Sequence, residues 1–375
     1  MKKFGFFRSI DWILFGALMP IFLAGLVTMT GFGGSQNFFS RQLLWIVVSI
    51  VIMFTIASLD VRFLRDSRYV VLGYVGSLVL LVLVLVAGST IKGSQSWFTF
   101  GSFSFQPTDI MKLFVILMCA KYFSRRHIEI ARIKHVAISA LYAVVPIGLI
   151  MLQPDFGSAM VVVSIWFGVA IVAGIKKRHL LVLGGIGLCT FLVAWFFLFK
   201  PYQKARIMTF IHPTSDIRGT GYNAYQSVIA VGSGGVIGRG VGYGTQSRLN
   251  FLPEYETDFV FAAFSEEWGF LGALILFVCF CVVFWRIMLH AMRGATNFET
   301  LFCVGFVIML SVHSIVNIGM NIGLLPVTGI PLPFMSYGGS HILAESIGVG
   351  IVLAMARYER ASHAEDFGRE FYSYA

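Results

Sequence analysis

The chain has 375 residues, 57% of them hydrophobic and only 12% charged, with a formal net charge of +10 and a mean hydropathy of +0.83. Soluble domains carry about 25% charged residues, so a soluble enzyme is excluded, and the apolar runs lack the alternation of a β-barrel. The positive charge reads as positive-inside bias plus attraction to anionic lipid, with no nucleic-acid partner.

Apolar runs of bilayer-spanning length recur along the chain. They predict helices near 10–30, 43–59, 69–87, 108–123, 136–152, 157–175, 180–199, 259–285, 301–322 and 339–356. The expected fold is all-α: a polytopic membrane protein of about ten transmembrane helices forming a single domain over 1–375. The N-terminal run follows Lys2, Lys3 and Arg8 and has no clean cleavage site, so it reads as a retained first helix. The termini and the intervals on their side hold 18 Lys and Arg, against 8 on the other side. This predicts cytoplasmic termini, an extracytoplasmic loop at about 200–258 between helices seven and eight, and a cytoplasmic tail at about 357–375. All five cysteines sit in apolar runs, without a CxxC pair, and read as core residues.

The interval 88–107 interleaves aromatic and polar residues around Trp97, which suits the headgroup level of a membrane. Gln106–Lys112 then opens a helix at Pro107, with Asp109 and Lys112 three apart on one face. They form a self-neutralising pair or a polar cavity wall. Asp155 has no basic neighbour in sequence and is either a cap for the next helix or a partner for Lys112.

In the long interval, nine glycines fall between Gly219 and Gly244, where N–H groups can meet anions. There is no Walker A pattern. Asn223–Val231 predicts a short helix in the membrane face. Leu249–Gly272 closes the interval, bringing Glu254, Glu256 and Asp258 to the helix mouth and Glu266 and Glu267 about two turns inside it. A bare charge inside a membrane helix costs roughly 2.5 kcal/mol or more, so such groups are functional candidates. The last loop, 323–339, has three prolines and four glycines and cannot be a continuous helix; Ser336, Tyr337, Ser340, His341 and Glu345 add polar groups there. The tail Glu365–Tyr374 reads as unstructured or partner-binding.

Six blocks carry a family resemblance: QPTDIMK (106–112), QPDFGSA (153–159), YQKARIMTFIHP (202–213), GYNAYQSVIAVGSGGVIGRG (221–240), GTQSRLNFLPEYETDFVFAAFSEEWGFLG (244–272) and LLPVTGIPLPFMSYGGS (324–340). Together they resemble the SEDS family of cell-wall polymerases (shape, elongation, division and sporulation; the RodA/FtsW proteins). The wording VTGIPLPF is closer to the elongation branch.

The resemblance implies a peptidoglycan glycosyltransferase of the bacterial inner membrane, polymerising lipid II on the extracytoplasmic face. It implies a class B penicillin-binding protein and elongation-complex membrane proteins as partners, and a divalent cation, Mg2+ or Mn2+, as cofactor. It maps the essential aspartate, and a tentative metal ligand, onto Asp258. Lys204, Arg206, Arg218, Arg239 and Arg248 become pyrophosphate candidates. Trp97, Lys112, Asp155 and Glu254 complete the substrate-binding set, with Asp109, Glu266, Glu267 and Ser336 shaping the cavity. Glu266 or Asp155 is a candidate second carboxylate should the reaction retain configuration.

The chain departs from the family pattern at Thr108-Asp109 (usually Ser-Glu), at Tyr255-Glu256 (often Arg-His), at Ser96 (often Arg), and at His341 and Glu345. A flippase for lipid-linked precursors is the competing class, since polar groups in broken helices serve transporters too.

Overall fold

The computed structural model describes residues 10–31, 38–91, 94–101, 103–125, 133–199, 201–212, 221–249 and 251–373. Every predicted apolar run coincides with a helix. They are α1 (Trp12–Thr28), α2 (Phe38–Ser58), α3 (Ser67–Ala87), α4 (Pro107–Ser124), α5 (Ile133–Leu152), α6 (Phe156–Val172), α7 (Lys177–Val193), α11 (Val260–Arg293), α12 (Asn297–Asn321) and α13 (Gly339–Ser373). Among the described residues between α7 and α11 lie the short helices α8 (Pro201–Ile211), α9 (Tyr222–Ser233) and α10 (Thr245–Arg248).

Seven of these helices are long and apolar enough to cross a membrane. α1 and α6 are apolar but only 17 residues long, and α4 carries Asp109, Lys112 and Lys121. The helix predicted at 223–231 is present as α9. α13 runs on to Ser373, where a tail without fixed structure was one expectation.

One element is outside the expected all-α pattern. Ser89–Ile91, Ser94–Phe100 and Phe103–Phe105 form a three-stranded antiparallel sheet, β1-β2-β3. Its middle strand, SQSWFTF, mixes β-branched, aromatic and hydroxyl residues that suit a half-buried ribbon. The sheet is pinned where Ser94 Oγ donates to the Gln153 carbonyl at 2.6 Å.

Burial sorts the helices. In the most apolar stretch of α12, 72% of residues are buried, and in α13 83%, against 22–33% in α2, α3 and α5 and none in α7. α12 is therefore the central post, packed by α4, α6 and α11, and α13 packs on α2. The outer helices show large apolar side chains, such as Leu72 and Val86 of α3, to their surroundings. That arrangement, apolar outside and mixed inside, is that of an integral membrane protein.

At the end of α11 farther from Asp258, α1 is bolted down by its cap. Asp11 Oδ1 accepts from Ile13 N and Leu14 N, both at 3.1 Å. Asp11 Oδ2 accepts from Arg286 Nε at 2.9 Å and meets His290 Nε2 at 2.8 Å. Burial raises the carboxyl's pKa, but the bonds from His290, Arg286 and Leu14 outweigh it and hold Asp11 well below the usual carboxylate range. A depressed folded pKa gives stability that is present above the ordinary carboxylate value and lost as pH falls through the folded one. Asp11→Ala is therefore expected to lower stability by about 3–5 kcal/mol, the cost of stranding a buried partner. In thermal melts against pH, the gap from wild type stays constant above the ordinary carboxylate pKa and narrows only in stronger acid.

Candidate functional site

The turn before α11 places Asp258. Glu254 adopts φ +58°, and its carbonyl accepts the N–H groups of Thr257, Asp258 and Phe259 at 3.2, 3.1 and 3.1 Å. Three bonds to one carbonyl fold the YETD segment into a tight knot. The knot is then fastened from outside. The Asp258 carbonyl accepts from Asn317 Nδ2 (3.0 Å) and Asn321 Nδ2 (3.1 Å), one turn apart on α12. Asn321 Oδ1 also accepts from Ala262 N at 3.0 Å, in the first turn of α11. Ser336 Oγ donates to the Thr257 carbonyl at 2.7 Å, and Tyr337 N to the Glu256 carbonyl at 2.8 Å.

All of these bonds use Asp258's backbone and its neighbours' backbone. The half-buried Asp258 carboxylate faces the loop between α12 and α13. There Gly329, at φ +75°, comes so close that a Cβ would sit 3.5 Å from Asp258 Oδ2. Beside it, burial and the charge of Glu256 both push the Tyr255 phenol up, so it stays protonated.

The glycine segment has a structural task. α11 is broken at Gly269 (φ +66°, ψ −164°), and residues 234–240 splice into the break. Arg239 N and Gly240 N donate to the Glu266 and Glu267 carbonyls, both at 3.0 Å. Phe270 N and Leu271 N donate to the Gly235 and Val236 carbonyls, at 2.9 and 3.0 Å. A Cβ on Gly238 would lie 2.1 Å from the Glu267 carbonyl oxygen, so only glycine fits.

The buried acids of α11 belong to the same splice. Glu266 accepts from Thr245 Oγ1 (3.1 Å) and Gln246 N (3.0 Å), and Glu267 from Gly242 N (2.9 Å). These N–H groups are thus engaged with α11 in place of the anion expected from sequence. Glu266 and Glu267 are 0% and 2% exposed, enclosed within the splice.

Asp155 caps α6, accepting from Ser158 N at 3.0 Å and from Gln106 Nε2 at 3.0 Å. The expected partnership with Lys112 is not formed. Lys112 Nζ instead bonds Asp109 Oδ1 at 3.1 Å, and the two side chains are 4% and 3% exposed. The i, i+3 spacing satisfies Lys112 within its own helix, while Gln106, nearer the helix start, reaches Asp155. A stability double-mutant cycle is expected to show coupling of about 1–3 kcal/mol for Lys112→Ala with Asp109→Ala, and additivity within about 0.5 kcal/mol for Lys112→Ala with Asp155→Ala.

Trp97 lies on β2, half-buried, its Cα paired with Ser89. Lys204 Nζ stands 5.9 Å over the Trp195 ring. Arg239 Nε donates to the Ser233 carbonyl at 3.2 Å. Arg206 and Arg248 are exposed, and Arg218 is outside the described residues.

Sequence reasoning missed the Asn317/Asn321 clamp, although the i, i+4 spacing of two amides in an apolar helix was its signal. It also missed a buried grouping of His313, His341 and Glu345, signalled by an i, i+4 His/Glu pair. No group of three or more such ligands forms around Asp258 among the described residues. A single carboxylate fits Mg2+ in its usual mode, one or two carboxylates completed by substrate phosphates and water.

The family model for FtsW, RodA and SpoVE, described as cell cycle proteins, matches residues 4–361. Stage V sporulation protein E of Bacillus subtilis is 37% identical over 88% of this chain and 89% of its own. Peptidoglycan glycosyltransferase MrdB of Escherichia coli K12 is 36% identical over 90% of both. A chain from a structure of polymerization and crosslinking coordinated by a peptidoglycan synthase complex superposes with a TM-score of 0.80 at 33% identity, over 93% of this chain and 98% of that one. With the family model spanning nearly the whole length and the fold shared, the chain belongs to the FtsW/RodA/SpoVE family.

Proposed function

We propose that the protein is a peptidoglycan glycosyltransferase that polymerises lipid II during cell elongation. It does so on the extracytoplasmic face of the inner membrane, with both termini cytoplasmic and ten membrane spans. The carrying observation is that the turn before α11 is fastened through its backbone by Asn317, Asn321 and Ser336, which holds Asp258 in a fixed place at the mouth of α11. Relatives named as peptidoglycan glycosyltransferases support the reaction over the flippase reading.

In this reading Asp258 takes the proton of the acceptor sugar's 4-hydroxyl as that oxygen attacks the donor's anomeric carbon. The bond to undecaprenyl pyrophosphate breaks and the configuration inverts. One base suffices for a single displacement, and the engagement of Glu266, Glu267 and Asp155 in structural bonds agrees with that count. A divalent cation, Mg2+ or Mn2+, would be held by Asp258 together with the substrate's phosphates and would neutralise the departing pyrophosphate. Arg206, Arg239 and Arg248 are exposed cations of the segment between α7 and α11 and would receive the same group. The partner is a class B penicillin-binding protein that crosslinks the product, in keeping with the synthase complex to which the fold is similar.

The test is extension of labelled lipid II by the purified protein with its transpeptidase partner and Mg2+ or Mn2+. Polymer is expected from wild type and none without the cation. Translocation of lipid II in liposomes with no polymer formed would replace the polymerase reading with the flippase.

A further inference from the structure

A second polar centre lies buried between α12 and α13, next to the Asp109–Lys112 pair of α4. His341 and Glu345 stand one turn apart on α13. His313 faces them from α12, its ring stacked on His341 with centroids 5.1 Å apart and planes at 15°. The three residues are 1%, 6% and 1% exposed for His313, His341 and Glu345. A ligating atom from each lies within 4.8 Å of the others.

His313 Nε2 is buried without a hydrogen bond, and His341 Nε2 and Glu345 Oε1 have no partner but each other. An unsatisfied buried polar atom costs about 1–3 kcal/mol, so His313 Nε2 beside a histidine–carboxylate pair calls for a cause. His341 Nε2 and Glu345 Oε1 approach to 2.9 Å as an ion pair. A proton on His341 accounts for that contact but leaves His313 Nε2 with nothing.

The remaining atoms of the trio are anchored from behind. His313 Nδ1 is 3.4 Å from the Pro331 carbonyl, and His341 Nδ1 is 3.8 Å from Asp109 Oδ1. Glu345 Oε2 accepts the Phe334 N–H at 2.8 Å. Asp109 is itself held by Lys112 and by Ser340 Oγ at 3.1 Å. An imidazole that binds a metal through one nitrogen turns the other towards a carbonyl or carboxylate, and both histidines do so.

We propose that His313, His341 and Glu345 form a buried site for a divalent transition-metal ion of the zinc type, with Asp109 orienting His341. Two imidazoles and a carboxylate suit Zn2+, Co2+ or Ni2+, whereas Mg2+ and Ca2+ take oxygen ligands. The ligands need only a small closure to reach bonds of about 2 Å. This site is separate from Asp258 and does not depend on the proposed reaction. Its link to the Asp258 turn is mechanical: Glu345 holds Phe334, at φ +59°, in the loop whose Ser336 and Tyr337 fasten that turn.

The experiment uses the full-length protein in detergent, stripped with chelator and titrated with Co2+ alone. Visible absorption and metal content after gel filtration are read. One Co2+ per chain is expected, with a four-coordinate spectrum that Zn2+ abolishes. Affinity should fall at least tenfold in His313→Gln and in His341→Gln, and about 10- to 100-fold in Asp109→Asn. Asp258→Asn should bind as wild type does. A folded wild type that takes up no stoichiometric metal overturns the proposal without recourse to any variant. So does metal that binds equally to His313→Gln, which would then sit on surface histidines.

Discussion

Asp258→Asn is expected to reduce glycan polymerisation by about 10²–10⁴-fold, the usual contribution of a positioned general base, and to leave the melting temperature where it was. The separation follows from which atoms do what. Asn317 and Asn321 grip the Asp258 carbonyl oxygen, and the Glu254 carbonyl grips its N–H. None of those atoms changes in the substitution, and asparagine matches aspartate in size. The measurements are polymer length on labelled lipid II and a thermal melt of the same preparation. Full activity in a folded Asp258→Asn protein would remove the base from the mechanism.

The largest expected effect on stability is at Gly269→Ala. The backbone there sits at φ +66°, ψ −164°, a region open essentially to glycine alone, which costs a side chain about 1–3 kcal/mol. The new Cβ would also lie 2.2 Å from Gly238 N and 2.7 Å from the Val236 carbonyl oxygen. Relieving that clash pushes residues 234–240 out of the break and forfeits four backbone hydrogen bonds, each contributing about 0.5–1.5 kcal/mol. A loss of about 3–9 kcal/mol is expected from these two effects together. The contrast is Gly232→Ala, an exposed helical position with nothing within 4 Å of the added carbon. It should hold or raise stability by about 0.5–1 kcal/mol. Equal melts for the two variants would mean that the splice does not hold α11 together.

The helices were legible because hydropathy over about 20 residues is a local property, and each apolar run became a helix. Their ends were less so: the run at 259–285 became a helix to Arg293, because its last turns pack a cap, Asp11, that lies far away in sequence. The sheet around Trp97 was hidden because its aromatics are as compatible with an interfacial coil as with a ribbon. Asp258 stood out as a carboxylate at a membrane edge, and the family pattern picked it from its neighbours. The roles of Glu266 and Glu267 were not legible. An acid in a membrane helix signals that something satisfies it, but not whether the partner is a substrate or, as here, the backbone of a glycine segment 20 to 25 residues earlier.

The clamp on Asp258 also bears on how the molecule is made. Its fasteners, Asn317, Asn321, Ser336 and Tyr337, all come later in the chain than the aspartate they hold. While α11 is being inserted, the knot around Asp258 has only its own Glu254 carbonyl to rely on. A chain interrupted before α12 would carry every acid of the YETD segment and still leave Asp258 unaimed. On the proposed mechanism, competence therefore arrives late in synthesis, when the second-to-last long helix and the loop after it dock, and incomplete chains in the membrane would be silent.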